Sequence, residues 1–268
     1  MADYFFAKLA FFVLINVNYL YFCQNLINNN HKYAFIMEAI ILLGISILPV
    51  ILLMIYIYRQ DKYEKEPIGM LALAFFGGIL SIFLDLMLVT IINGIWYSDT
   101  VFYSAFIEAG FPEEICKFAM LFIFFWWNKN FNEYMDGIVY ATFVSLGFAC
   151  VENILYVLGS GLGTGIMRAI ISVPGHFLFG VLMGYFIALA KFDKQNSLTY
   201  LILSVLVPSV AHGLFDWLLM VTDSMSTGGQ IVILGLFIVG DVFLWITGVR
   251  YIKKHRENSQ FKNIQPNV

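Results

Sequence analysis

The sequence predicts an all-α fold, a polytopic membrane helical bundle of about eight transmembrane helices. Composition is the first reason: 60% of the 268 residues are hydrophobic, only 12% are charged, and the mean hydropathy is +0.81, far from the mix of a soluble domain. The second is recurrence, because apolar stretches near the roughly 20 residues a bilayer crossing needs return along the whole chain. The third is that Lys and Arg gather in alternate loops, as they do in cytoplasmic loops of spanning proteins. The formal net charge of −3 forms no basic face, which excludes nucleic acid as a partner.

The stretches can be taken in order. Residues 5–22 are expected to be a retained anchor: Asp3 and the late Lys8 make a poor leader, and Asn-rich sequence follows instead of a small-residue cleavage site. The second and third stretches cover 35–58 and 68–92. The fourth, 114–127, is short, so it is expected to begin before Pro112 or to sit against other helices. The remaining four cover 136–158, 166–190, 198–220 and 230–251. Between the fifth and sixth lies GSGLGTG, 159–165, which lacks the lysine and preceding strand of a phosphate loop and is expected to be a flexible outer loop. Gly180 and Gly184 form a GxxxG that allows close helix packing. Abundant Phe, Tyr and Trp supply lipid-facing bulk and interfacial belts. Cys23, Cys116 and Cys150 form no CxxC pair and are expected to pack as small hydrophobes.

With the N-terminus inside, the cytoplasmic side receives Lys8, Arg59, Lys62, Lys65, Lys129, Lys191, Lys194 and the bases from Arg250 onward, and the outside receives Lys32 and Arg168. The expected organisation is N-terminal transmembrane helices over 1–58, a core over 59–220 with its chemistry in helices 4–7, a C-terminal transmembrane helix over 221–252 and a cytoplasmic tail over 253–268. Both termini are expected in the cytoplasm, the tail disordered after Tyr251, and the protein in the cell membrane.

Ionisable residues facing hydrocarbon are costly and rare, so those in the spans point to function. Glu113, Glu114 and Lys117 head the fourth stretch, Glu152 and Asn153 lie about two turns before the end of the fifth, His176 lies roughly 15 Å into the sixth, and His212 with Asp216 lies about 12 Å below the outer end of the seventh. Taken singly, each has a structural reading. The glutamates and Lys117 have salt-bridge spacing, His176 follows Pro174 and could satisfy a freed carbonyl, and His212 with Asp216 or Glu152 with Asn153 could glue helices. Jointly they place acids and imidazoles from four helices at one depth. Asp85 and Asp241 have no partner evident from spacing, and Glu38 and Asp136 suit helix starts.

Two adjacent carboxylates in a low dielectric, with a lysine beside them, can be driven to different protonation states, so that one deprotonates water while another donates to a leaving amine. Imidazoles opposite them either stabilise an oxyanion or bind a metal. Ser172 and Ser209 lack an orienting acid, and the cysteines lack a paired base. The pattern therefore points to water-dependent peptide cleavage. Zinc held by His176, His212 and an acid such as Glu152 stays open beside a metal-free mechanism, although the HExxH spacing is absent. A proton-coupled transporter would place similar groups in a bundle but would show paired repeats; a non-enzymatic membrane sensor or scaffold would also tolerate them.

The residues also carry a resemblance. FPEEICKF at 111–118, YMDGIVYATFVSLGFACVENILY at 134–156, GHF at 175–177, AHGLFD at 211–216 and the loop DKYEKEP at 61–67 resemble the PrsW family of intramembrane proteases, related to the CAAX prenyl protease and bacteriocin-processing superfamily. The resemblance implies a membrane endopeptidase in which Glu113 and Glu114 are the catalytic pair, His176 and His212 match the two histidine motifs, Glu152 and Asn153 match ENxxY, and Asp216 fills a position commonly Asn or Asp. Lys117 stands where the wider superfamily often has Arg one residue later. It further implies first-site cleavage, near the outer side of the membrane, of a single-pass membrane protein such as an anti-sigma factor, as part of a stress response. A CAAX-type prenyl endopeptidase is the alternative within the superfamily.

Overall fold

The computed structural model describes residues 32–222 and 225–263; the expected first span, 5–22, and Cys23 lie outside them. The described residues hold helices and no strand. These are α1 (Lys32–Gln60), α2 (Ile68–Ile95), a π-helix (Tyr103–Gly110), α3 (Phe111–Phe125), α4 (Tyr134–Ile170), α5 (Ser172–Phe192), α6 (Ser197–Val221), α7 (Thr227–Glu257) and a closing 3-10 turn (Gln260–Asn263). The chain is a multi-pass membrane bundle. Five stretches among the described residues are long and apolar enough to cross a membrane, one of them the 59-residue run Tyr134–Phe192 that contains both α4 and α5. The expected count of eight crossings is therefore not reached by this measure.

The bundle is organised around α4, whose residues from Met135 to Cys150 are buried on every face. Side chains with no Cβ let neighbours approach it. A Cβ on Gly78 of α2 would collide with the Val144 carbonyl, and one on Gly184 of α5 with the Gly137 carbonyl. Gly137 begins α4 while Gly184 lies late in α5, so the two helices run antiparallel, and the GxxxG of α5 packs as its spacing predicts. The outer helices turn the other way: Leu48 and Leu52 of α1, Phe76 and Phe83 of α2 and Val239 and Phe243 of α7 are exposed, the surface a lipid-facing bundle presents.

One local expectation holds and three differ. The short fourth stretch does begin before Pro112, because the helix runs unbroken from Val101 through the π-helix into α3. Residues 159–165 are helical instead of a flexible loop, interrupted only at Gly161, whose φ of 80° breaks α4 where an L side chain would be strained. Helix α5 starts at Ser172, so Pro174 sits in the first turn, where its missing N–H costs nothing, and His176 is about 6 Å into the helix, not 15 Å. The tail after Tyr251 is ordered to residue 263: α7 continues to Glu257, Arg256 bonds Gln60, and Ser259 donates to Glu133.

That end of the bundle gathers several buried acids, Asp61, Glu66, Glu133 and Asp136. The 61–67 loop lies against the start of α4, where Glu133 and Asp136 form a capping box. Burial, with Glu133 close by, pushes the Asp61 carboxyl up to about 7, and burial pushes Glu133 up to about 7 as well, against the hydrogen bond from Ser259.

Candidate active site

Pro112 organises the first part of the site. A proline cannot donate to the carbonyl one turn earlier and its ring crowds that carbonyl; the wider π turn directly before it takes up this conflict, with Phe111 N–H reaching back to Phe106 O. Glu108 locks the π segment to α2: its two oxygens accept from Asn93 Nδ2 at 2.8 Å and Ser104 Oγ at 2.9 Å. The segment then crosses α6 backbone against backbone, because Gly110 faces Gly213 so closely that a Cβ on Gly110 would lie 2.7 Å from the Gly213 nitrogen. Glu113 and Glu114 follow Gly110, and His212 precedes Gly213, so this crossing sets the glutamates beside the imidazole.

Glu113, Glu114, Lys117, His176 and His212 meet in one buried cluster. Lys117 Nζ donates to Glu114 Oε1 at 2.7 Å and to Glu113 Oε2 at 3.4 Å, and it lies 3.1 Å from His176 Nδ1. An ammonium has only donors, so His176 Nδ1 accepts and its proton sits on Nε2, which faces Glu152 Oε2 at 2.8 Å. His212 presents Nδ1 to Glu114 Oε1 at 3.0 Å and Nε2 to Asp216 Oδ2 at 3.4 Å, with Glu113 Oε2 at 3.9 Å. The two imidazole centroids are 5.1 Å apart, Phe179 stacks on His212, and the Lys117 ammonium lies over the Phe148 ring. Every charge in the cluster is thus paired, as burial in low dielectric demands.

The remaining sequence-derived residues stand behind this cluster. Glu152 reaches it through His176, and it is held from the far side by Arg168 Nη2 at 2.8 Å. Asp216 reaches it through His212. Asn153 does not touch it; its Nδ2 donates to Ser46 O at 2.9 Å, tying α4 to α1, and its Oδ1 accepts from Arg168 Nε at 3.2 Å. Sequence reasoning does not single out Arg168, Glu108 or Ser145, whose Oγ donates to His176 O at 2.6 Å. For Arg168 the signal existed, a lone guanidinium at the end of an apolar run, but charge counting assigns it to an outer loop.

A helical membrane bundle with a buried, fully paired centre of acids and imidazoles is consistent with one class, the membrane-embedded hydrolases. Within it, the sequence model described as "PrsW family intramembrane metalloprotease" matches residues 66–245. Protease PrsW of Bacillus subtilis strain 168 is 37% identical over 221 residues, covering 82% of this chain and 97% of that protein. The protein of the same name from Geobacillus kaustophilus HTA426 is 34% identical, covering 84% and 96%, and that from Clostridioides difficile 630 is 33% identical, covering 81% and 92%. The chain belongs to the PrsW family and is a membrane protease. No solved structure matches it.

The family description implies a metal, and the donor set fits one. Glu113, Glu114, His176 and His212 each offer a ligand atom within 4.8 Å of the others, a nitrogen and oxygen set of the kind zinc accepts. Glu114 Oε2 is moreover buried without a hydrogen-bond partner, the condition of a ligand oxygen. Glu152 lies outside this group, spent on His176 and Arg168.

Proposed function

We propose that this chain is an intramembrane endopeptidase in which Glu113, Glu114, His176 and His212 carry out hydrolysis, Lys117, Glu152 and Asp216 position them, and Asn153 ties α4, the helix of Glu152, to α1. One observation carries the reading: acids and imidazoles from α3, α5 and α6 converge on a single buried point. Glu114 is the base we assign. Its Oε1 is anchored by Lys117 and His212 while Oε2 has no donor, an arrangement that fixes the carboxylate and leaves one oxygen for a water proton. As the water oxygen bonds to the peptide carbonyl carbon, the His212 Nε2–H, held at 3.4 Å by Asp216 while Nδ1 stays on Glu114, is the donor we assign to turn to the developing oxyanion. When the C–N bond breaks, the leaving amine takes the proton collected by the glutamate pair. Glu113, 3.4 Å from Lys117 and 3.9 Å from His212, is the second member of that pair.

A second version has its own observation, the four-donor set with the orphaned Glu114 Oε2. Glu113, Glu114, His176 and His212 would hold the ion, and a bound divalent metal supplies a more acidic water and polarises the carbonyl. Metal analysis of active protein separates the versions: one metal per chain, lost in His176→Ala, supports this one, and activity without metal supports the glutamates alone.

The Lys and Arg distribution supports an orientation with both termini in the cytoplasm and the cluster toward the outer face. The substrate is then a single-pass membrane protein cut near its outer end, with an anti-sigma factor as the class that the family resemblance favours. Tagged single-pass proteins followed in cells with and without the chain test this: a fragment ending near the outer membrane boundary, formed only when the chain is present, is expected, and identical fragments in both would overturn it.

A further inference from the structure

We propose that the opposite end of the bundle holds a second cation site, in which Glu64, Glu66 and Asp136 offer carboxylate oxygens to a hard divalent metal ion. From Asp136 to Glu152 the helix rises about 24 Å, so this site is separate from the catalytic cluster. The three residues come from the 61–67 loop and the first turn of α4, and each places an oxygen within 4.8 Å of the others.

The way these carboxylates are held is the second observation. Asp136 is fully buried; its Oδ2 accepts from the backbone N–H of Asn132 at 2.8 Å and of Glu133 at 2.7 Å, while its Oδ1 is buried with no N–H donor, and the carboxyl otherwise hydrogen-bonds only Glu66, a shared proton that a cation would replace. Glu64 repeats the pattern, with Oε1 accepting from Asn132 Nδ2 at 3.2 Å and Oε2 buried with no donor. Glu66 is anchored by the Tyr140 hydroxyl. One oxygen oriented by the protein and the other bare is how second-shell bonds present a ligand. The side-chain amide oxygen of Asn132, Oδ1, is buried and unpartnered beside them, a neutral oxygen of the kind such ions also take.

Nearby bases do not fill the role. Lys65 donates to the carbonyls of Tyr58 and Asp61, and Lys191 to the Trp126 carbonyl at 2.7 Å. Asp61 and Glu133 add two further carboxylates at the same end. The prospective ligands include no imidazole or thiolate, so the chemistry selects Mg²⁺, Ca²⁺ or Mn²⁺ over zinc. The bound ion would clamp the 61–67 loop onto the start of α4.

The test is a Mn²⁺ titration of purified protein, followed by electron paramagnetic resonance, in the His212→Ala variant so that the catalytic cluster does not contribute. One saturable site per chain is expected, displaced by Ca²⁺ or Mg²⁺. In the further variant Glu64→Gln, whose loop position spares the capping box, affinity should weaken by about tenfold or more; Asp136→Asn should do the same. Absence of saturable Mn²⁺ binding in His212→Ala protein that still elutes as a folded species, or unchanged affinity in Glu64→Gln, overturns the proposal.

Discussion

At the residue scale, Lys117 is the hinge of the electrostatics. Its ammonium touches both glutamates and His176 at once, and without it two adjacent carboxylates would be buried with no counter-charge on their own helix. Removing one partner of a buried ion pair costs about 3–5 kcal/mol. Lys117→Met should therefore lower the melting temperature in detergent and abolish cleavage; unchanged melting and turnover would contradict the pairing. Glu152 acts one step back, fixing His176 through Nε2. Glu152→Gln should lower kcat by about 10–100-fold with KM nearly unchanged, and a fall in KM-limited binding alone would place Glu152 elsewhere. The residue types were legible because intramembrane charge is rare. Which of them touch was only partly so: the i,i+3 and i,i+4 spacing of Glu114 and Glu113 to Lys117 foretells those pairs, but nothing in the spacing tells that Lys117 would reach His176 or that Arg168 would fold back onto Glu152.

At the element scale, the site depends on backbone crossings more than on helix propensity. Gly110 against Gly213 sets the distance between Glu114 and His212, as Gly78 against Val144 sets that between α2 and α4. In Gly213→Ala the new methyl meets the Phe106 ring, which must give way and push the π segment from α6. Cleavage should fall steeply while the folded elution profile in detergent persists; wild-type activity would show that the crossing does not position the site. The GxxxG of α5 could be found by its spacing, whereas Gly110 and Gly213 are a hundred residues apart and carry no local pattern. The π turn was equally hidden, since Pro112 announces a local conflict but not how the helix resolves it. The 159–165 segment misleads in the other direction, because its glycines read as loop while only Gly161 leaves helical geometry.

At the scale of the molecule, the two ends differ in character. One carries the 61–67 loop, Lys129, Lys191, Lys194 and the end of α7; toward the other lie the acid and imidazole cluster and Arg168. Hydropathy made the membrane bundle legible, because the apolar stretches are long, but it gave the π-helix and α3 only as a short stretch, 114–127, because Glu108, Glu113, Glu114 and Lys117 depress the very signal that marks a span. The proposed orientation predicts that a thiol placed by Ser98→Cys is labelled by an impermeant reagent on intact cells, and that one placed by Lys62→Cys is labelled only after permeabilisation. The reverse pattern would invert the molecule and move the cut to the cytoplasmic face.

The most direct test of hydrolysis at the acid and imidazole cluster is single-turnover cleavage of a tagged single-pass protein by purified chain in vesicles, wild type against Glu113→Gln, Glu114→Gln and His212→Ala. Each folded variant should lose cleavage by about a hundredfold or more, the scale that general acid–base groups contribute. Unchanged proteolysis in all three would place the chemistry somewhere else in the molecule.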